Sequence, residues 1–330
     1  MTWHARIASL GGMLPILAGC GGVQSALETT GREAADIYFL FIVATALSIA
    51  ITLLVLVLLV VVLWGPSKWR DRLGSDRVVI GGGVVLPIVL LSLLLGYGLF
   101  VLDAGASRTA HAKDDGITIV GKRWWWEVAY ATADGEQVVS ANELRLPVGR
   151  PVTLHLESDN VIHSFWAPQL AGKLDMIPGR TNSLVVEATE PGVSRGQCAE
   201  YCGGAHALMA FFIIAMPPDE YDAWLQEEAA PARAPETGIA QRGQALFLEN
   251  GCGACHTVRG TQAGGTIGPD LTHVGSRRSL AAATLPNDAE AFARWIKDNQ
   301  HIKPENLMPP YENLEPDDLT AIAAYLEGLD

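Results

Sequence analysis

The sequence predicts a multidomain membrane protein: a hairpin of two transmembrane α-helices, a β-sandwich or barrel, and a C-terminal all-α domain. Three observations carry this. Two uncharged apolar runs lie in the first third of the chain, short β-rich segments with turn residues fill the middle, and helical periodicity begins after an Ala/Pro-rich stretch. A length of 330 residues accommodates two or three domains. Hydrophobic residues make up 49% of the chain but aromatic ones only 7%, so the apolar excess is aliphatic and sits in the runs. A net charge of -13 argues against nucleic acid as a partner and favours a basic protein.

Residues 1–19 read as a secretory signal: His4 and Arg6, a short apolar core, then small residues. The ending Leu17-Ala18-Gly19-Cys20 resembles a bacterial lipobox, which makes Cys20 the expected lipid-anchored first residue of the mature chain. A plain signal peptide beside an incidental cysteine is the alternative. The runs 37–64 and 78–102 hold 28 and 25 residues without a charge, and each exceeds the ~20 residues that span a bilayer. Between them lie Lys68, Arg70, Arg72 and Arg77 against Asp71 and Asp76, whereas the outer flanks are acidic or mixed. The positive-inside rule puts that loop in the cytoplasm. Both termini are then expected on the outer face of a bacterial plasma membrane, in agreement with the anchor at Cys20.

Over 117–225 the segments Ile117-Val120, Trp124-Tyr130, Val152-Glu157, Ser183-Ala188 and Met209-Ala215 read as strands. Asp134-Gly135, Val148-Gly149 and Pro178-Gly179 supply turn chemistry between them. Residues 226–237 have the Ala, Pro and charge content of a linker. The domain 238–330 shows helical patterns at Ile239-Leu248, Glu290-Asp298 and Asp317-Leu326, the last with Pro316 and acidic residues at its start.

Two motifs carry chemistry. The first is Cys198-Ala199-Glu200-Tyr201-Cys202 with His206, Met209 and, upstream, His163. Thiolates beside imidazoles select copper or zinc, and a thioether in the set favours copper. Two bridging thiols give enough ligands for two ions. A disulfide, a thiol-redox pair and a Cys-Cys-His-His structural zinc site are the alternatives. The second is Cys252-Gly253-Ala254-Cys255-His256, the C-x-x-C-H of covalent haem c attachment, with His256 as the proximal ligand. A thioredoxin-like dithiol or half a zinc site competes with it. Met308, in Asn306-Leu307-Met308-Pro309-Pro310, is the expected sixth iron ligand, with His273 and His301 as competitors.

Together with Asp159-Asn160-Val161-Ile162-His163-Ser164-Phe165-Trp166 and Asp175-Met176-Ile177-Pro178-Gly179-Arg180, these motifs resemble subunit II of bacterial haem–copper cytochrome c oxidases carrying a fused cytochrome c domain. The resemblance covers nearly the whole mature chain. It implies a cupredoxin-like Greek-key fold for 117–225 and a dinuclear copper centre, CuA. There Cys198 and Cys202 bridge both ions, His163 and His206 bind one each, Met209 is a weak axial ligand and Glu200 offers its carbonyl. The Glu200 carboxylate is implied to reach a magnesium ion at the interface with subunit I. Trp124, first of Trp124-Trp125-Trp126, is implied as the point of electron input from a docked donor.

The implied activity is proton-translocating cytochrome c oxidation. A soluble cytochrome c gives electrons to the haem c, the copper pair passes them to the haem–copper centre of subunit I, and oxygen is reduced there. Subunit III and membrane lipid are further expected partners. One departure stands out: Val78-Val79-Ile80-Gly81-Gly82-Gly83 has no carboxylate where many relatives carry a proton-path glutamate. A copper-containing nitric oxide reductase subunit and a membrane-tethered copper-delivery or electron-shuttle lipoprotein remain as alternatives. A quinol oxidase subunit lacks the copper ligands that this chain has. Both outer modules are acidic, with 13 acidic against 7 basic residues over 117–225 and 12 against 7 over 238–330, which suits a basic donor.

Overall fold

The computed structural model describes residues 21–111, 116–132, 135 and 137–330. The expected signal segment 1–19 and Cys20 lie outside the described residues. The chain divides into two units, one made of Met1–Ala34 with Ala112–Asp330 and the other of Ala35–His111.

The second unit is helical. Helix α1 spans Arg32–Trp64, and a short α2, Ser67–Leu73, follows it. The returning limb begins as α3, Asp76–Ile80, passes through a π-helical turn at Gly81–Val85 and continues as α4, Leu86–His111. Both limbs therefore reach beyond the expected apolar runs. Their most apolar 18-residue windows have mean hydropathies of 3.3 and 2.7, and neither window is buried within the protein. Helices with this much uncovered aliphatic surface are long and apolar enough to cross a membrane. Phe39 on α1 meets Tyr97 on α4 edge-on, with ring centroids 6.0 Å apart.

In the first unit, ten strands make two five-stranded sheets. Strands β1 (Ile117–Lys122), β2 (Trp125–Ala131), β3 (Gln137–Ala141), β5 (Val152–Ser158) and β8 (Asn182–Val186) form one, in the order β3-β2-β1-β5-β8. The other runs β4-β10-β9-β6-β7, from β4 (Glu143–Pro147), β6 (His163–Trp166), β7 (Leu174–Met176), β9 (Gly192–Cys198) and β10 (Ala210–Met216). Most neighbours are antiparallel, but β1 with β5 and β10 with β4 are parallel. These crossovers give the cupredoxin-like sandwich. Alternating buried positions such as Ile117, Ile119, Leu154 and Leu156 fill the space between the sheets, with Trp126, Phe165 and Phe211. Five strands (β3, β4, β6, β7 and β9) went unread in sequence. Just ahead of the sandwich, residues 22–31 lie along it: Arg195 N–H donates to the Val23 carbonyl, and Gly31 bridges to Ala188.

Helix α5, Pro218–Ala229, leaves the sandwich and occupies the first residues of the expected linker. The reason is local: Pro218 at its start and Asp219 and Glu220 in its first turn favour a helix. The rest of the linker is fastened rather than free, since the Ala232 N–H donates to the Arg259 carbonyl. The C-terminal module holds α6 (Gly238–Glu249), α7 (Ala289–Ile302) and α8 (Pro316–Glu327) around Phe247, Phe292, Ile296, Ile322 and Tyr325. It also carries two paired two-residue strands, β11 (Ser279–Leu280) and β12 (Leu285–Pro286), so it is helical with one small β addition.

Asp288 caps α7 by accepting from the Ala291 N–H at 2.8 Å. Asp288→Ala is expected to lower the stability of this module by about 1 kcal/mol. Guanidinium unfolding of the full-length protein followed by circular dichroism reads this as an earlier midpoint for the C-terminal transition.

Candidate metal centre and haem pocket

Strand pairing builds the first site. Phe165 of β6 lies opposite Cys198 of β9, so His163 and Cys198 end up on neighbouring strands. The loop from Ala199 to Met209 is closed at its base. The Cys198 N–H donates to the Met209 carbonyl at 2.9 Å, and the Ala199 N–H donates to the Ser164 carbonyl at 3.0 Å. His206 opens a 3-10 turn, His206–Leu208, that aims its ring back at the thiols.

His163, Cys198, Cys202 and Met209 are buried, and His206 is half-buried. The two Sγ atoms are 3.8 Å apart. His163 Nδ1 lies 3.7 Å from Cys198 Sγ, and His206 Nδ1 lies 3.5 Å from Cys202 Sγ. Met209 Sδ is 3.8 Å from Cys202 Sγ, and the Glu200 carbonyl is 3.1 Å from Cys198 Sγ. A disulfide needs about 2.05 Å between sulfurs. Donors about 2.0–2.3 Å from a shared tetrahedral metal lie roughly 3.5–3.8 Å apart. The donor set therefore fits soft metal ions. The Glu200 carboxylate is exposed and stands apart from the buried donors.

The hydrogen bond shared with Cys202 holds the Cys198 thiol down at about 4, while the same contact and burial push Cys202 up. Asn160 Oδ1 lies 3.3 Å from His163 Nε2 and can only accept, which puts the ring proton on Nε2 and leaves Nδ1 free to ligate.

The second site is an apolar cavity lined by Cys252, Cys255, His256 and Met308, with Phe247 and Phe292 on its walls. His256 Nδ1 lies 2.8 Å from the Pro269 carbonyl, so its proton sits there and Nε2 is free. Burial lowers the His256 pKa and keeps the ring neutral. A Cβ on Gly268 would stand 2.5 Å from His256 Cε1, so the bare glycine is what lets the ring lie where it does. A neutral imidazole, a thioether and two thiols around one apolar cavity fit a covalently held haem. The Met308 loop is fixed by amides: Asn306 Oδ1 accepts from the Met308 N–H, and Gln300 Nε2 donates to the Met308 carbonyl. Neither competing histidine reaches this cavity. Both ring nitrogens of His273 are engaged by the carbonyls of Ala230 and Asp330, and His301 is exposed and pairs with Asp298.

Trp124 joins the two sites. It lines the haem cavity, and its Nε1–H donates to the Cys202 carbonyl at 3.0 Å. It is only 4% exposed, because the C-terminal module covers the face expected to meet an external donor. Gly203 makes room for the indole. Its φ is +117°, and a Cβ there would lie 2.9 Å from Trp124 Cζ2. Lys303 also lines the cavity, and burial pushes its ammonium down to about 7. Asn160 sits in a segment that the sequence singled out. Nothing in the sequence marked Lys303 or Gln300.

A soft-metal cluster in a cupredoxin-like sandwich, a helical module with a C-x-x-C-H pocket and two membrane-length helices define a membrane-anchored electron-transfer subunit. Residues 127–216 match the family described as cytochrome c oxidase subunit II, periplasmic domain, and residues 240–330 match cytochrome c. The chain is 35% identical to cytochrome c oxidase subunit 2 of Alkalihalophilus pseudofirmus, over 98% of this chain and 97% of the relative. It is 31% identical to the subunit 2 of Bacillus subtilis, over 100% and 99%. A solved periplasmic domain of subunit II from Bradyrhizobium japonicum is 30% identical, covering 36% of this chain and 94% of that one, at a TM-score of 0.33. The chain belongs to the cytochrome c oxidase subunit 2 family.

Asn160→Ala is expected to weaken copper binding about tenfold or more by releasing the His163 ring. A competition titration against a copper chelator on the full-length protein measures it, and unchanged affinity would count against Asn160 as the orienting group.

Proposed function

We propose that this subunit takes single electrons from a soluble cytochrome c through a covalent haem c, passes them to a dinuclear CuA centre, and delivers them to subunit I for oxygen reduction. The observation that carries the reading is Trp124, which touches the cavity of Cys252, Cys255, His256 and Met308 and hydrogen-bonds the backbone of Cys202. When bound, the haem and the copper pair supply reversible one-electron chemistry. The residues of the chain do the rest. Cys198, Cys202, His163, His206, Met209 and the Glu200 carbonyl would hold the copper pair. Cys252 and Cys255 would hold the haem covalently, and His256 and Met308 would supply its iron ligands.

Trp124 then acts as an internal relay, because the attached module buries the face that a docked donor would use. A free donor meets the C-terminal module instead, where Ile267 and Leu307 at the cavity rim are 68% and 71% exposed. Helices α1 and α4 anchor the subunit in the bacterial plasma membrane, with both metal-binding modules on the outer face and Cys20 as a lipid attachment point. The exposed Glu200 carboxylate is free to reach a magnesium ion shared with subunit I.

Cys198→Ser should abolish the mixed-valence copper resonance of the full-length protein and leave the low-spin c-haem band intact, while Cys255→Ser should do the reverse. A wild-type resonance from a single blue-type copper, or zinc in its place, would overturn the paired-copper reading. Electron input from a basic donor should slow steadily as ionic strength rises, because both outer modules are acidic. Stopped-flow reduction over a salt series checks this, and a rate indifferent to salt would refute steering.

A further inference from the structure

Lys303 follows α7, and its side chain leaves the C-terminal module for the sandwich. It is 3% exposed. Its ammonium donates to the carbonyls of Trp124 at 2.6 Å, Leu208 at 2.9 Å and Ala281 at 3.0 Å. A lysine ammonium has three protons and accepts nothing, so three acceptors use it fully, whereas a neutral amine has only two protons. Among the described residues no carboxylate lies within ion-pair distance of it. A buried charge without a carboxylate partner is a costly way to fasten two surfaces, and an apolar side chain would do so at lower cost. The charge therefore asks for a role beyond adhesion.

Its three acceptors belong to the path between the sites. Trp124 holds the Cys202 carbonyl through its indole N–H. The Leu208 carbonyl is part of the amide that carries the Met209 nitrogen. Ala281 opens a left-handed run, Ala281 to Ala283, with φ of 53°, 60° and 58°. Such a run is unfavourable for residues with a Cβ and persists where its surroundings hold it. Here Lys303 holds its first carbonyl, and the Ala210 N–H donates to the Ala282 carbonyl at 3.3 Å, one residue after Met209.

We infer that Lys303 is a positioning residue for electron passage between the haem cavity and the copper loop: its ammonium clamps Trp124 and Leu208 of one module to Ala281 of the other and places positive charge between the two sites. The inference rests on the haem-and-copper reading above. Lys303 exchanges no electron: the one lost on the haem side is the one gained on the copper side, and the ammonium charge would favour the reduced form of each.

The test uses the assembled full-length protein carrying Lys303→Met, beside Arg259→Met. Arg259 fastens the same modules through the Val139 and Glu228 carbonyls and pairs with Asp270, touching none of the three carbonyls that Lys303 holds. Lys303→Met should slow haem-to-copper transfer after flash reduction about tenfold and leave a smaller reduced fraction of both centres at a fixed applied potential. Arg259→Met should keep wild-type potentials. Wild-type transfer in the Lys303→Met protein, or slower transfer at wild-type potentials, overturns the inference. Where that variant does not assemble, Lys303→Gln, which keeps amide donors for the same carbonyls without the charge, replaces it: it should leave the same smaller reduced fraction of both centres, and wild-type potentials overturn the inference. A wild-type protein without haem band or copper resonance sinks the underlying reading first, before any substitution is made.

Discussion

Two buried thiols 3.8 Å apart that do not bond to each other are the constraint on which the rest of the outer unit depends. Thiols at this separation suit a shared soft metal ion, and the sheet sets where they stand. Cys198 ends a strand paired with both β6 and β10, and the loop returns to it through the hydrogen bond from Cys198 N–H to the Met209 carbonyl. The aromatic packing of Trp126, Phe165 and Phe211 beneath the loop makes that base rigid, with Phe165 and Phe211 stacked 5.0 Å apart. A donor set held this way changes little between oxidation states, which is what a one-electron relay needs.

The two motifs whose side chains the structure gathers were legible in sequence, because most of their donors are local. Cys198 to Met209 and Cys252 to His256 each lie on a few consecutive turns of backbone. The membrane helices and the three long helices of the C-terminal module were legible too, since their signal is periodic or continuous. The unread strands were not, and for a physical reason. Strands such as His163–Trp166 and Leu174–Met176 are short, and Gly192–Cys198 carries Gly, Ser, Arg and Gln rather than β-branched residues. They are strands because their neighbours pair with them, a tertiary effect that outweighs propensity. The helix Pro218–Ala229 was hidden by the Ala/Pro composition just beyond it.

Contacts between the modules were the least legible. Arg259 reaches the Val139 and Glu228 carbonyls, and the Arg278 N–H donates to the buried Glu143 carboxylate. Burial raises the Glu143 pKa, which the hydrogen bond from Arg278 and the charge of Arg145 offset in part. Each of these side chains looks like an ordinary surface charge in sequence. Only the fold brings them to a common face, with Arg259 meeting Val139 and Arg278 meeting Glu143 across more than a hundred residues.

That common face alters the meaning of Trp124. Alone, the sandwich would expose this indole to whatever donor arrives, and recognition would have to be rebuilt at every encounter. With the C-terminal module seated on it, Trp124 is buried, its carbonyl is bound by Lys303 and its indole N–H by Cys202. In the proposed function the encounter surface would lie at the rim of the haem cavity, and the step next to the copper loop would be intramolecular. Fixing that geometry in advance removes the orientational search from the inner transfer. It leaves diffusion and charge steering to act only at the outer surface, where the acidic excess of the chain can work on a free partner.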